Sequence, residues 1–166
     1  LKRASIGALG RIGEKRAVRP LMELLDSEDA FDSGAAAKAL GEIGPNACEA
    51  VPKLLELLHR HHLDRYVQGQ VAIALGRMRV EEAIARLREL LSERVQLSSD
   101  ATLALGFFGG RAKEAMPEIM QFPLQHTWPE PRHRAIMTLA GMGRGAAAIP
   151  VLKQIDRKST RLNSSH

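Results

Sequence analysis

The fold is decided by a segment that reads Ala39-Leu40-Gly41-Glu42-Ile43-Gly44 and is followed by Ala50-Val51-Pro52-Lys53-Leu54. The first motif recurs, with substitutions, at residues 8–13, 74–79, 104–109 and 138–143, and the second at residues 17–21, 83–87, 115–119 and 148–152. A period of about 20 to 50 residues is typical of repeat architectures, in which each unit buries its apolar face against its neighbours. The chain is therefore predicted to be an array of about five helix pairs, the first of them truncated.

The spacing of the two motifs differs. The alanines that open the second motif, Ala17, Ala50, Ala83, Ala115 and Ala148, are 33, 33, 32 and 33 residues apart. The leucines of the first motif, Leu9, Leu40, Leu75, Leu105 and Leu139, are 31, 35, 30 and 34 residues apart. A stacked array tolerates changes in loop length at its surface but not a shift of the helices that pack together. The second helices are therefore predicted to be the rigid spine.

Local signals predict where the helices begin and end. Apolar residues follow the second motif at helical spacing, as in Val51, Leu54, Leu57 and Leu58, which indicates a helix with one buried face. Prolines near the motif's start fit a first helical turn, where a missing N–H loses no partner; they are Pro20, Pro52, Pro117 and Pro150. Glycines such as Gly44 and Gly109 permit the tight turn that ends each first helix.

This alternation resembles HEAT repeats of the bacterial HEAT-like type, also called phycobilisome-lyase-like, over nearly all of residues 1–155. The resemblance implies an all-α fold, a right-handed α-α superhelix. Two positions depart from the pattern: Asp32 and Pro131 stand where such repeats place a buried valine, as Val67 and Leu97 do here. The first helices of the second and fifth units are therefore expected to start late.

Two segments are expected. Residues 1–155 are expected to be a solenoid and an internal piece of a longer protein, because neither end carries a polar capping repeat. Residues 156–166 resemble a translated sequencing adapter and are expected to be a non-native, disordered tail. This tail holds three cations and one anion, so the net charge of +5 falls to +3 over residues 1–155. So modest a charge does not indicate a specific nucleic-acid partner.

Composition excludes other classes of protein. The sequence is 45% hydrophobic and 26% charged, which suits a folded body, and only 4% aromatic, which suits close helix packing. Cys48 is the single cysteine, so there is no disulfide framework within the chain. The sequence contains no apolar run of about 18 residues and therefore no predicted membrane segment.

The resemblance also makes an enzyme a possible function, because metal-dependent protein hydroxylases, phycobilin lyases and some DNA glycosylases use similar repeats. The hydroxylases bind iron through His-Glu pairs, and no His-Glu dipeptide occurs in this sequence. His59, His61 and His62 cluster without a neighbouring carboxylate, and His126 and His133 flank the irregular segment around Trp128. A solvated loop explains the first group better than a metal site, and a repeat-specific loop insertion explains the second better than a ligand pocket. No catalytic residue, metal ligand or cofactor is predicted.

The resemblance places the second helices on the concave side of the array and two columns of residues on their outward face. One column contains Glu23, Glu56, Glu89, Gln121 and Gln154, and the other contains Pro20, Lys53, Arg86, Glu118 and Val151. Lys53 with Glu56, and Arg86 with Glu89, are three residues apart and are expected to form surface ion pairs. The partner-binding residues are therefore predicted to be Glu23, Lys53, Glu56, Arg86, Glu89, Glu118 and Gln121.

The predicted function is a non-catalytic protein-interaction or scaffolding module for a protein or peptide partner. The alternative is an accessory or regulatory part of an enzyme, such as a bilin-lyase-like protein.

Overall fold

The computed structural model describes residues 2–12, 15–60, 63–92, 95–125 and 129–144, together with Ile149 and Lys153. Nine α-helices lie in these ranges, and none of the residues described is in a strand. The all-α helical-repeat prediction is therefore confirmed. The tail at residues 156–166 and most of the fifth second helix lie outside the described residues.

The helices alternate between two rows. The first helices are α1 (Lys2–Ile12), α3 (Ala30–Ile43), α5 (Arg65–Arg77), α7 (Val95–Phe108) and α9 (Pro129–Leu139). The second helices are α2 (Val18–Leu24), α4 (Val51–His59), α6 (Ile84–Leu90) and α8 (Met116–Gln125). Short 3-10 segments join each pair, at Lys15–Ala17, Gly44–Ala50, Glu81–Ala83 and Gly109–Ala115, and a π-helical turn, Ala140–Arg144, follows α9. As predicted, Pro20, Pro52 and Pro117 lie in the first turns of their helices.

The starts of the first helices correct one expectation, because those of the second and fifth units do not start late. Asp32 and Pro131 are the third residues of α3 and α9, the place that Val67 and Leu97 hold in α5 and α7. In α3 the side chain of Asp29 fixes this start by accepting hydrogen bonds from two N–H groups of the first turn, at 2.8 and 3.4 Å. The Asp29 cap thus sets where α3 begins, although the third residue of the helix is the buried Asp32 and not the valine of the repeat pattern.

The ends of the first helices use a left-handed backbone conformation. Gly44 and Gly109 have φ angles of +69° and +57°, as their predicted role in the turn requires. In the third unit the aligned residue is Arg79, which adopts the same conformation with φ of +56°. A non-glycine residue is strained in this region, so the turn after α5 is held by its surroundings rather than by local preference.

Both rows of helices contribute to one continuous hydrophobic core that extends from Ile6 to Met142. The largest side chains at its centre are completely buried; they are Leu40, Leu75, Leu105 and Leu139 from the first helices and Leu21, Leu54, Leu87 and Ile119 from the second. The apolar face that was predicted for the second helices is therefore confirmed where those helices are described. Each unit completes its core against its neighbours, as the repeat period requires.

The closest packing between units lies between consecutive first helices. A methyl group added at Gly10 or Gly41 would lie 2.7 or 2.6 Å from the Cα atom of Ala39 or Ala74 in the next first helix. Such distances are too short for a real carbon contact, so the two backbones touch only because the glycine has no side chain. The prediction that the second helices form the spine is wrong in this respect. Regular spacing marked the second helices, but backbone contact joins the first ones.

Candidate functional site

Four polar side chains form a row along the solvent side of the second helices, called here the second-helix row. They are Glu23 on α2, Glu56 on α4, Glu89 on α6 and Gln121 on α8, and all four are exposed. Their spacings of 33, 33 and 32 residues place one in each of the first four units, and Gln154, the fifth member of the predicted column, lies outside the described residues. Three of the four are carboxylates, on a protein whose total charge is positive.

Lys53 does not join this exposed face as the sequence predicted. Its Nζ atom donates a hydrogen bond to the backbone oxygen of Met22 at 3.1 Å and pairs with the carboxylate of Asp26. These groups lie at the end of the preceding second helix, where unpaired carbonyls attract a cation. Glu56 instead pairs with Arg60, which directly follows the last residue of α4, at 2.8 Å. The expected Lys53–Glu56 pair is therefore replaced by a contact between units.

Arg86 also contradicts the prediction that it faces outward, because only 9% of this residue is exposed. Its Nε atom donates to the backbone oxygen of Leu58 in the preceding second helix at 3.4 Å. Its Nη1 atom donates to Glu89 at 3.0 Å, which confirms the expected pair with that residue. The buried Nε2 group of Gln68 on α5 also donates to the Leu58 oxygen, at 3.3 Å. Arg86 thus joins two units instead of offering its charge to solvent.

Glu118 is half-buried and contacts the preceding second helix in the same way. Its Oε1 atom accepts hydrogen bonds from Nη2 and Nε of Arg88 on α6, at 2.6 and 3.2 Å. Burial raises the pKa of the Glu118 carboxyl, but the hydrogen bond and charge of Arg88, with a backbone hydrogen bond, outweigh it and hold the pKa below its usual range. The hydrogen bond to Glu118, followed by the attraction of its charge, raises the pKa of Arg88.

The two predicted columns therefore differ in position. Glu23, Glu56, Glu89 and Gln121 remain a surface on which a partner could rest. Lys53, Arg86 and Glu118 are half-buried or buried and join each second helix to the one before it. The cause is geometric: a column at the edge of a helix's outward face lies against the neighbouring unit, which the periodicity of one helix does not reveal.

The histidine segments yield no metal site where the structure describes them. His59 is exposed, and its Nδ1 atom lies 2.8 Å from the backbone oxygen of Leu55. His61, His62 and His126, with Trp128, lie outside the described residues, and the side chain of His133 is likewise not described. Within the described ranges no group of three or more His, Cys, Asp or Glu side chains could hold a metal ion. None of the helices in these ranges is long and apolar enough to cross a membrane.

A cleft of about 570 Å³ lies across the opposite row, the first helices α3, α5, α7 and α9. Its lining includes Lys38, Tyr66, Ile73, Arg77, Leu103 and Arg134. This surface was not predicted from the sequence. Lys38, Ile73 and Leu103 each stand two residues before the core leucine of their helix, so the repeat alignment already placed them in one column. The column was not proposed as a surface, because the family resemblance placed the binding face on the second helices.

Stacked helix pairs with one shared core and a polar row along one side define an α-helical repeat protein. The sequence matches the family described as HEAT repeats at residues 1–60 and 33–106, which together make up well over half of the 166 residues. The chain therefore belongs to the HEAT-repeat family, as its sequence resemblance implied. HEAT repeats generally mediate protein–protein interaction or scaffolding, and the family is typically non-catalytic. No curated protein shows a significant match to the chain.

Proposed function

We propose that this chain is a non-catalytic protein-binding module and that the second-helix row is its binding surface for a basic, extended segment of a partner. The observation that carries the proposal is the repetition of an exposed carboxylate, Glu23, Glu56 and Glu89, once in each of three consecutive units. A partner chain that follows the array would meet one carboxylate in each of these units.

The contacts between units support this proposal by leaving the row available. Lys53 and Arg86 satisfy backbone oxygens of the preceding unit, so the stack does not depend on the carboxylates of the row for its cohesion. Glu56 and Glu89 each have one cationic neighbour, yet 64% and 66% of their side chains stay exposed. Both carboxylates are therefore mostly solvated, and a partner's cation can reach each of them beside its existing neighbour.

The spacing of the row indicates the form of the partner. Helices in direct contact lie about 8 to 10 Å apart, and the second helices are joined by long side chains instead, so successive carboxylates follow one another at about 10 Å or more. An extended peptide rises by about 3.3 Å per residue. A cation at every third residue of the peptide therefore meets one carboxylate per unit, and electrostatic complementarity of this kind confers specificity more than raw affinity.

A direct test uses two labelled 12-residue peptides with identical composition, one repeating Lys-Ser-Ser four times and one with its four lysines contiguous. Fluorescence anisotropy at low salt should show tighter binding of the periodic peptide. The triple variant Glu23→Gln, Glu56→Gln, Glu89→Gln should weaken that binding about tenfold, since three ion pairs of several tenths of a kcal/mol are lost together. The melting temperature should stay nearly constant.

The matched control is Glu28→Gln, Glu49→Gln, Glu82→Gln, which removes the same charge from three exposed acids outside the row. It should change the affinity for the periodic peptide less than about threefold. Equal losses in the two triple variants, or equal affinity for the two peptides, would refute the row as a binding surface and leave only general charge attraction.

A further inference from the structure

The cleft on the first helices has a chemistry unlike that of the second-helix row. Its floor is apolar, because Ile73 and Leu103 are half-buried and present their remaining surface to the opening. Tyr66, which is 41% exposed, lines one end, and its ring packs against that of Phe31 with centroids 5.5 Å apart. Cavities of about 300 to 1,000 Å³ with apolar walls and a few polar groups are typical of binding sites.

The charge that the cleft presents to solvent is cationic. Arg134 pairs with Asp100 at 3.2 Å, but the carboxylate lies underneath, with 9% of its side chain exposed against 28% for the arginine. Arg77 is likewise more exposed than Glu42, which lies 3.7 Å from it. Lys38 is exposed and makes no ion pair with a described residue. Asp100 also lines the cleft, but its side chain is nearly buried, so the three cationic groups present more surface to the opening than the acids do.

One of these cations already shows how it binds an aromatic ring. The guanidinium of Arg77 lies 5.7 Å from the centroid of the Phe107 ring, within the range of a cation–π contact. With Glu42 near one N–H group, the guanidinium keeps its other face and its remaining N–H groups for a second ring or a carboxylate. The rim thus combines anion recognition with contact to a flat apolar group.

The geometry points to this cleft as a second docking site, whose occupant is an acidic peptide segment carrying one aromatic side chain. The aromatic ring would rest on Ile73 and Leu103, and the flanking carboxylates would meet Lys38, Arg77 and Arg134. Charge complementarity selects this occupant over a basic one, which the rim repels. The site lies on the first helices and does not depend on the second-helix row.

The probe is a labelled 11-residue peptide of Asp, Glu and Ser with one central Trp, compared with the same peptide bearing Ala at its centre and with a version in which Lys replaces every acid. Binding to the full chain is measured by fluorescence anisotropy. The acidic Trp peptide should bind at least tenfold more tightly than either comparison peptide. Lys38→Glu should weaken its binding about tenfold, and Lys38→Arg should restore it.

Lys113→Glu serves as the matched control, since Lys113 is an exposed lysine on the 3-10 segment before α8 and does not line the cleft. It should alter the affinity less than twofold. The Glu23, Glu56, Glu89 triple variant should also bind the acidic peptide normally, which separates failure of this site from failure of the proposed function. Indifference to Lys38→Glu, equal binding of the Lys-rich peptide, or absence of saturable binding up to millimolar peptide would overturn the inference. So would self-association that blocks the peptide, because a second copy would then be the occupant.

Discussion

The two rows of helices hold the solenoid together in different ways. Consecutive first helices touch backbone to backbone where Gly10 and Gly41 meet the alanines of the next unit. Between second helices the described polar contacts are made by long side chains, such as Lys53 and Arg86, that reach back to the preceding unit. Backbone contact leaves no space for variation, whereas long side chains span a gap. The difference teaches that regular sequence spacing and tight packing are separate properties.

Arg86 offers the strongest test of the contacts between second helices. Arg86→Ala should lower the free energy of unfolding by about 2 kcal/mol, because it removes a buried side chain together with hydrogen bonds that cross between units. Chemical denaturation measures this loss. Glu89→Gln is the control, since it removes the exposed partner of the same ion pair and should change stability by less than about 0.5 kcal/mol. Equal effects would mean that the surface pair, and not the link to Leu58, is what matters.

A smaller effect is expected from Glu118, and it depends on pH. The folded-state pKa of Glu118 is below its unfolded value, so the pair with Arg88 contributes stability above the unfolded pKa, about 4.3 for glutamate. That contribution is lost as the pH falls through the folded-state pKa. Glu118→Gln should therefore be slightly less stable than the natural chain at pH 7 and indistinguishable from it at strongly acidic pH. Thermal unfolding over this range measures the difference, and a constant gap at every pH would contradict the assignment.

Much of this architecture could be predicted because it repeats. The leucines that fill the core, such as Leu54 and Leu87, and the prolines that open the second helices recur in aligned positions. Arg86 was misplaced because its burial depends on the end of α4, which is distant in sequence. The left-handed conformation of residue 79 could not be predicted either, because an arginine stands there and not a glycine. These features depend on contacts between units, which no single unit encodes.

The two candidate surfaces differ in predictability for the same reason. The second-helix row was visible because Glu23, Glu56 and Glu89 are identical residues in aligned positions. The cleft on the first helices was not, because the family resemblance placed the binding face on the second helices. The cleft is lined by residues of four first helices, which come together only when the units stack.

The measurement that tests the account most directly compares two glycines of the first helices by chemical denaturation. Gly41 meets the backbone of Ala74, whereas nothing lies within 4 Å of a methyl group placed on Gly7. Gly41→Ala should destabilise by about 1 to 3 kcal/mol through overpacking. Gly7→Ala should leave stability unchanged or raise it by up to about 1 kcal/mol, since alanine favours the helix. If Gly41→Ala proves as harmless as Gly7→Ala, the first helices do not hold the stack, and the division of roles between the two rows is wrong.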